Sequence, residues 1–398
     1  MNLAHLNEFK SFENLKLNGF DLEQKFELKI NRLKTLDIED CSNIYLKEDK
    51  NIHLKSLKIS DFGQFSLSKS LLKLPKLEYL SIIDHKIIED DEYELPFDLK
   101  SLISLKKLLV FNGMFKEVQK LPSLEYLEYI DFFGLFKSTF EKIVSMKTLK
   151  EVTLDINGIL DLDGISKIKA QNISITKLTF HYFCKNNCKQ CDISDLQNKF
   201  PNVSDLNLVF DFYNKFSSEP FGENPIKIEE NPNCKINKIS LKVTGREKIT
   251  FYCQPFGSLE KIEIIFRDPR IHLIDISYFL PMFKSNSEIV YKSLVELNLN
   301  FGFSLSLKEF KNLSNSINNM PNLKKFFLYF NLDKISRKDY EKFIRKLLSL
   351  NLEIIKINTY ILYDEVYSFK ELQNINKNIN SLSYENIKIK RYKKINYY

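Results

Sequence analysis

The sequence predicts an α/β solenoid, in which short parallel strands stack side by side and helical segments return the chain. A short apolar pattern recurs along the chain, a proline precedes several of its copies, and segments with helical spacing lie between copies. The chain has 398 residues. A single compact core stops growing beyond about 250–300 residues, so a repeat or several domains must account for this length.

The recurring pattern places apolar residues at the first, fourth and sixth positions of a unit, as in Leu33, Leu36 and Ile38. Its clear copies begin at Leu33, Leu54, Leu77, Leu105, Leu124, Leu149, Ile175, Val203, Ile236, Leu259, Leu294, Leu323 and Leu352. The mean spacing is about 27 residues. Weaker copies begin at Phe12 and Ile379, so the repeats span about residues 12–384.

Proline lies two residues before the first apolar residue in four copies, at Pro75, Pro122, Pro201 and Pro321. Pattern, spacing and proline together resemble the leucine-rich-repeat superfamily over nearly the whole chain. The resemblance implies a horseshoe with a parallel sheet on its concave face and helices on its convex face. That family usually has Asn or Cys at the ninth position, and only Cys41, Asn157 and Asn331 conform. We therefore expect an irregular solenoid.

Three segments between copies have the apolar spacing of helices: residues 135–146, 307–320 and 336–350. A two-domain α/β protein or a TIM barrel would have longer helices and strands that are apolar throughout, which fits less well. We expect a single solenoid over residues 1–398. A proline-rich loop insertion at 209–235 and a basic C-terminal tail at 385–398 complete the predicted organisation.

The charge balance and the N-terminal sequence limit the class of protein. There are 59 Lys and Arg against 52 Asp and Glu, and a net charge of +7 is weak for a dedicated nucleic-acid binder. The N-terminus lacks the basic and apolar regions of a secretory signal, and no stretch of 18 consecutive apolar residues occurs. We expect a cytoplasmic, intracellular protein without a membrane span.

Few motifs in the sequence point to catalysis. No Walker-type, GxGxxG, GxSxG or HExxH motif occurs. Cys184, Cys188 and Cys191 have CxxxCxxC spacing, similar to the iron–sulfur motif of radical S-adenosylmethionine enzymes. Gln190 replaces the aromatic residue of that motif, and no Gly-rich segment follows. Zinc, with His181, Cys234 or Cys253 as a fourth ligand, is an alternative. Our preferred interpretation is reduced thiols without a metal, and we predict no cofactor.

The strand pattern also predicts a binding surface. Alternate residues of a strand share a face, so positions 4 and 6 point inward, and we assign positions 3, 5, 7 and 8 to the concave face. This face would be acidic in the N-terminal half and aromatic in the C-terminal half. The candidate partner-binding residues are Asp37, Glu39, Asp61, Asp84, Glu128, Asp131, Phe266, Phe301, Phe327, Tyr329 and Phe330.

These observations favour a non-catalytic scaffold that binds a protein partner on its concave face, with Phe327, Tyr329 and Phe330 as anchors. The acidic half would steer a basic partner segment. One scaffold can host many functions, so three alternatives remain open. They are a substrate-recognition subunit of a ubiquitin ligase, a structural subunit of a larger assembly, and a metal or iron–sulfur protein centred on Cys184.

Overall fold

Repeated short strands run through the computed structural model of the chain. The chain divides into two compact units, Met1–Leu178 and Thr179–Tyr398, and the boundary falls inside one strand. The structure describes residues 12–20, 26–28, 32–41, 44–46, 53–60, 74–83, 102–111, 121–131, 134–135, 137–157, 159–160, 165–184, 191–192, 198–212, 224–228, 235–245, 249–253, 258–266, 290–331, 334–350, 352–360 and 388–389.

In its described residues the first unit contains a helix and a series of short strands. Its elements are β1 (Asn14–Asn18), β2 (Phe26–Leu28), β3 (Thr35–Glu39), β4 (Ile44–Leu46), β5 (Ser56–Ser60), β6 (Tyr79–Ile83), β7 (Lys107–Phe111), β8 (Tyr126–Asp131), β9 (Gly134–Leu135), α1 (Lys137–Ser145), β10 (Glu151–Asn157) and β11 (Ile159–Leu160). The main sheet has the order β1-β3-β5-β6-β7-β8-β10, and all six neighbouring pairs are parallel. The strand β12 (Lys177–Cys184) begins in this unit.

The second unit continues from β12. Its elements are β13 (Cys191–Asp192), β14 (Asp205–Phe212), β15 (Asn224–Ile228), β16 (Lys238–Gly245), β17 (Ile249–Cys253), β18 (Lys261–Phe266), β19 (Glu296–Ser304), α2 (Leu307–Ser316), a 3-10 helix (Ile317–Asn319), β20 (Lys325–Asn331), α3 (Arg337–Leu348), β21 (Ile354–Tyr360) and β22 (Lys388–Ile389). The main sheet has the order β12-β14-β16-β18-β19-β20-β21-β22.

Neighbouring strands pair residues that hold the same position in their repeats. Leu36 and Leu57, both at position 4, are partners in β3 and β5, and Leu297 pairs with Phe326 in the same way. Each side chain therefore stands beside its equivalents from the adjacent repeats. The register shifts inside β19, after Asn300.

Positions 1, 4 and 6 of the repeat form the core, as the sequence predicts. In the twelve repeats that begin with Leu33 and end with Leu323, the side chains at these three positions are all buried. Full burial of one Leu or Ile side chain contributes about 1.5–3 kcal/mol. A single strand with one apolar face cannot be stable alone, so each repeat depends on its neighbours.

A tight turn leads into many of the strands. The amide of Leu77 donates to the carbonyl oxygen of Leu74 at 3.0 Å, and the same bond recurs at Leu105, Leu149, Val203, Leu294 and Leu323. The recurring proline is the second residue of this turn, where its fixed φ angle is favoured. The proline signal in the sequence therefore marks the start of a strand.

One repeat replaces this turn with a side chain. Asn172 is buried, and its Nδ2 donates to the carbonyl oxygen of Met146 at 2.8 Å. Its Oδ1 accepts from the amide of Ser174 at 3.0 Å. The asparagine thus supplies both a donor and an acceptor to backbone groups that would otherwise be buried without partners.

The segments that return the chain are helices in some repeats and short strands in others. The three predicted helices are confirmed as α1, α2 and α3. Elsewhere the described returns form small parallel sheets, β2 with β4, β9 with β11, and β13 with β15 and β17. In these repeats short strands return the chain in place of helices. Their sequences, such as Ile249–Cys253, are rich in β-branched and aromatic residues, which favour strands.

The predicted loop insertion at 209–235 needs a correction because it contains strands. Its first residues belong to β14, and β15 lies within it, paired with β13 and β17. Pairing in this small sheet satisfies backbone groups that a loop would leave to water. In the basic tail, Lys388 and Ile389 form β22 and pair with β21, whereas the other residues of 385–398 lie outside the described part. A single solenoid over the whole chain stays a prediction.

Adjacent residues of β20 allow a direct test of which side of the sheet is the core. Phe330 is fully buried and stacks on Phe310 with ring centroids 5.5 Å apart, whereas Tyr329 is only half-buried. We expect Phe330→Ala to lower the free energy of unfolding by about 3–5 kcal/mol, because it leaves a cavity. Tyr329→Ala should cost about 1 kcal/mol or less. Urea denaturation of the full chain measures both, and a larger loss for Tyr329→Ala would contradict the observed register.

The start of α2 provides a second test. Ser306 accepts from the amide of Glu309 at 3.2 Å, and the Glu309 carboxylate accepts from the Ser306 amide at 2.6 Å. We expect Ser306→Ala to destabilise the helix by about 1 kcal/mol, because the amide of Glu309 loses the hydroxyl oxygen that accepts its hydrogen bond. Hydrogen exchange of the α2 amides measures the change. Ser314→Ala, in the same helix, is the matched control and should have little effect; equal losses would argue against the cap.

Candidate partner-binding surface

Positions 3, 5 and 7 of the repeats form one face of each main sheet, which we call the open face. It is the face that the sequence analysis expects to be concave. In β18, for example, Ile262, Ile264 and Phe266 are buried, whereas the residues between them are partly exposed. The open face therefore carries the side chains that are free to meet a partner.

Three of the five aromatic candidates for the partner-binding surface do not lie on this face. Phe266, Phe301 and Phe330 occupy position 8 and are 1%, 1% and 0% exposed. The strands of the second unit continue past position 7, so position 8 points inward with positions 4 and 6. Phe266 and Phe301 stack with ring centroids 5.9 Å apart. Their assignment to the partner-binding surface is wrong, and they belong to the core.

Position 8 differs at β3, which ends at position 7. Asp40 follows this strand with a φ angle of +48°, in the left-handed region that Asp tolerates better than most residues. In β18 and β20, by contrast, the aromatic residue at position 8 extends the strand and fills the core.

Phe327 and Tyr329 do lie on the open face, at positions 5 and 7 of β20, and both are half-buried. The register places Phe327 between Asn298 of β19 and Lys356 of β21. Ile354, which is 37% exposed, pairs with Lys325 in the row beside them. We call Phe327, Tyr329 and Ile354 the apolar site.

Charged side chains at position 3 pair across neighbouring strands. In the second unit Lys238 binds Asp205 at 2.9 Å, and Glu296 contacts both Lys261 and Lys325. In the first unit Lys177 binds Glu151. Such partly exposed pairs contribute little to stability, but opposite charges in register favour the observed pairing.

A polar network occupies position 5 beside the apolar site. The carboxylate of Glu263 accepts from the hydroxyl of Ser240 at 3.0 Å and from the amide nitrogen of Asn298 at 2.7 Å. The network joins β16, β18 and β19, and Asn298 in turn neighbours Phe327. It fixes the polar side chains that border the apolar site.

The acidic residues predicted for the first unit are partly neutralised. Asp37 and Glu39 lie on the open face, where Lys16 reaches them at 3.6 and 2.9 Å. A hydrogen bond and the charge of Lys16 lower the pKa of Glu39, and the pair raises the pKa of Lys16. Asn18 also donates to Glu39 at 3.0 Å. These carboxylates already have partners within the chain.

Glu128 also lies on the open face and has a partner. The hydroxyl of Tyr126 donates to its carboxylate at 2.8 Å and lies 3.4 Å from the hydroxyl of Thr153. Burial is the main cause that raises the pKa of Tyr126, and Glu128 adds to it. The phenol is therefore a neutral hydrogen-bond donor at ordinary pH.

The remaining predicted residues are only partly described. Asp61, Asp84 and Cys188 lie outside the described residues. Asp131 ends β8, Cys184 ends β12 and Cys191 begins β13. Within the described part of the chain no three or more His, Cys, Asp or Glu side chains group as a metal site would need. Because Cys188 is not among them, metal at these cysteines stays a prediction.

One position of the family resemblance is visible in detail. Cys41, at position 9, is buried, and its thiol lies 3.2 Å from the carbonyl oxygen of Glu39. Burial raises the pKa of the Cys41 thiol, against hydrogen bonds with the backbone of Phe20, Glu39 and Gly19. Asn331, at the same position of its repeat, is also buried. Cys41 and Asn331 therefore occupy the position at which leucine-rich repeats usually have Asn or Cys.

Sequence reasoning missed the partners of the charged residues. Lys16, Tyr126, Ser240 and Asn298 were not among the candidates, yet they decide which carboxylates are engaged. Comparing position 3 from one repeat to the next would have revealed the pairing, because Glu151 with Lys177 and Asp205 with Lys238 are oppositely charged neighbours.

No described helix is long and apolar enough to cross a membrane.

The sequence matches no protein-family model and no curated protein. Among solved structures the chain is similar to a leucine-rich-repeat protein of Leptospira interrogans, with 19% sequence identity and a TM-score of 0.43. The match covers 88% of this chain and 91% of that chain. Within each unit, successive repeats with buried apolar residues at positions 1, 4 and 6 pair their strands in parallel, in register and in chain order. This is the architecture of a leucine-rich-repeat protein.

Proposed function

We propose that the chain is a non-catalytic scaffold that binds a protein partner on the open face of its second unit. Phe327 and Tyr329 are the main anchors, and Ile354 adds apolar area beside them. The observation that carries the proposal is this apolar site: two partly exposed aromatic rings and an exposed isoleucine on the neighbouring strands β20 and β21.

Aromatic side chains suit this role because they provide a large contact area and lose little rotamer freedom on binding. Here both rings stand on β20, which has paired strands on both sides. The backbone beneath them is also anchored by Phe326, Leu328 and Phe330 in the core. A partner would meet rings whose positions are set before binding, which reduces the ordering cost of association.

The surroundings of the apolar site indicate the chemistry of the partner. Lys325 and Lys356 flank the rings, and the closest approach of Lys325 to Glu296 is a loose 3.8 Å. Asn298 lies on the other side. A segment with apolar residues next to acidic ones would fill the site and pair with these lysines. Polar groups around an apolar centre are typical of protein interfaces.

The earlier expectation of a basic partner segment steered by the acidic first unit loses support. Lys16 engages Asp37 and Glu39, and Tyr126 engages Glu128. Partners within the chain reduce the field that these carboxylates can exert on an approaching molecule. No feature of the described residues specifically favours the ubiquitin-ligase subunit or the structural subunit. Identifying the partner would distinguish these two alternatives from each other.

The test compares two double variants of the full chain. Partners that co-purify from native cells are identified by mass spectrometry, and affinity is then measured with the purified partner. We expect Phe327→Ala with Tyr329→Ala to weaken binding by about 100-fold or more, because central aromatic anchors dominate interface energies.

The matched control removes an aromatic and an aliphatic side chain from the open face of the first unit. The control variant is Tyr79→Ala with Ile83→Ala, because both residues are half-buried on β6. This variant should bind as the unmodified chain does. If it loses the partner while the β20 variant keeps it, the binding surface lies in the first unit and the proposal is wrong. Phe330 is left unchanged because it belongs to the core.

A further inference from the structure

The helices α2 and α3 form a second surface, on the side of the sheet opposite the open face. Phe310 of α2 stacks on Phe330, and Phe343 of α3 lies edge-on to Phe326 at 6.2 Å. The two helices also touch each other, with the rings of Phe310 and Phe343 4.8 Å apart. Because these rings bury one side of each helix, the other sides face away from the sheet.

Cations occupy those outer sides. The exposed residues are Lys308 and Lys311 on α2, Lys338, Lys342 and Arg345 on α3, and Lys334 just before α3. We call these six residues the basic surface. Residues 307–316 and 334–350 together contain eight Lys or Arg and three Asp or Glu, a net charge of +5. The two helices, with Lys334, therefore carry an excess of positive charge.

The acidic residues of the two helices offset little of this charge. Glu309 is buried in the cap of α2. The hydroxyl of Ser336 donates to the carboxylate of Asp339 and accepts from the Asp339 amide at 3.2 Å, and Lys311 lies 3.7 Å from the same carboxylate. The hydrogen bond from Ser336 is the main cause that lowers the pKa of Asp339. Glu341 is half-buried.

The spacing within α3 brings like charges together. Lys338, Lys342 and Lys346 are four residues apart, so consecutive ones are neighbours on the helix and repel each other. Burial is the main cause that lowers the pKa of Lys346, and the charge of Lys342 adds to it. α3 also contains an attractive spacing, since Glu341 lies four residues before Arg345. Lys338 and Lys342 nevertheless bring two like charges together on the exposed side of the helix.

The aromatic and apolar side chains exposed near the basic surface indicate the kind of partner that it binds. No aromatic side chain is exposed on the described residues of α2 and α3, so bases would find no ring to stack on. The aromatic anchors of a protein interface are lacking there as well. Among the described side chains of α2 and α3, the large apolar one that is exposed is Leu307, 37% exposed at the start of α2. Lysines around an exposed leucine are typical of surfaces that lie against lipid headgroups.

We propose that the basic surface docks the protein on an anionic membrane. The cations attract the anionic headgroups, and Leu307 enters the boundary between headgroups and acyl chains. The apolar side of each helix stays in the protein core, so binding is peripheral and reversible. This surface is separate from the apolar site, and a bound membrane would leave the open face available to a partner.

The test measures binding of the full chain to phosphatidylserine-rich vesicles by co-sedimentation, with phosphatidylcholine vesicles as the neutral reference. We expect binding to the anionic vesicles only, weakened by added salt. Each cation near an anionic leaflet changes affinity about fivefold, so the variant Lys338→Ala, Lys342→Ala, Arg345→Ala should bind on the order of 100-fold more weakly. Alanine favours helix, and thermal unfolding by circular dichroism verifies the fold.

The matched control removes three exposed lysines from the first unit, as Lys147→Ala, Lys167→Ala, Lys169→Ala, and should bind as the unmodified chain does. If the α3 variant is unstable, glutamine replacements at the same three positions repeat the measurement. Equal losses in both variants, unchanged binding of the α3 variant, or no binding of the unmodified chain would overturn the proposal. So would binding of duplex DNA without binding of vesicles, because the surface would then recognise nucleic acid.

Discussion

Pairing of equivalent positions between neighbouring strands is the constraint on which the rest of the structure depends. Parallel strands advance in step, so Leu36 lies beside Leu57 and Leu297 beside Phe326. A slip of one residue would turn every core side chain toward solvent. Because the register holds, apolar residues at positions 1, 4 and 6 form continuous buried rows. The same register gathers positions 3, 5 and 7 on the open face and creates the apolar site.

The two faces of β20 have different roles, one in the core and one on the open face, although their residues alternate in sequence. Phe326, Leu328 and Phe330 are buried and receive the rings of α2 and α3. Phe327 and Tyr329 stand on the open face. The strand thus connects the two proposed surfaces: the apolar site on one side and, through the aromatic packing, the helices that carry the basic surface on the other. Rigid packing between them holds both surfaces in place.

The sequence predicted the repeat well because its signal is long and redundant. Twelve repeats place apolar residues at the same three positions, so local irregularities could not hide the period. The three helices were predicted for the same reason, since each shows several turns of apolar spacing. Shorter signals failed: β15 has only five residues, and its pairing with β13 and β17 depends on segments distant in sequence.

The amino-acid sequence by itself determined the repeat, the core positions, the three helices and the rings of Phe327 and Tyr329. Only the tertiary structure decided where each strand ends, and hence that Phe266, Phe301 and Phe330 fill the core. Strand ends depend on pairing with the next repeat, which no local pattern shows. The structure likewise decided that Lys16 engages Asp37 and Glu39, since residues about twenty positions apart meet only when strands pair. A repeat fixes which residues are equivalent, but only packing decides what each one touches.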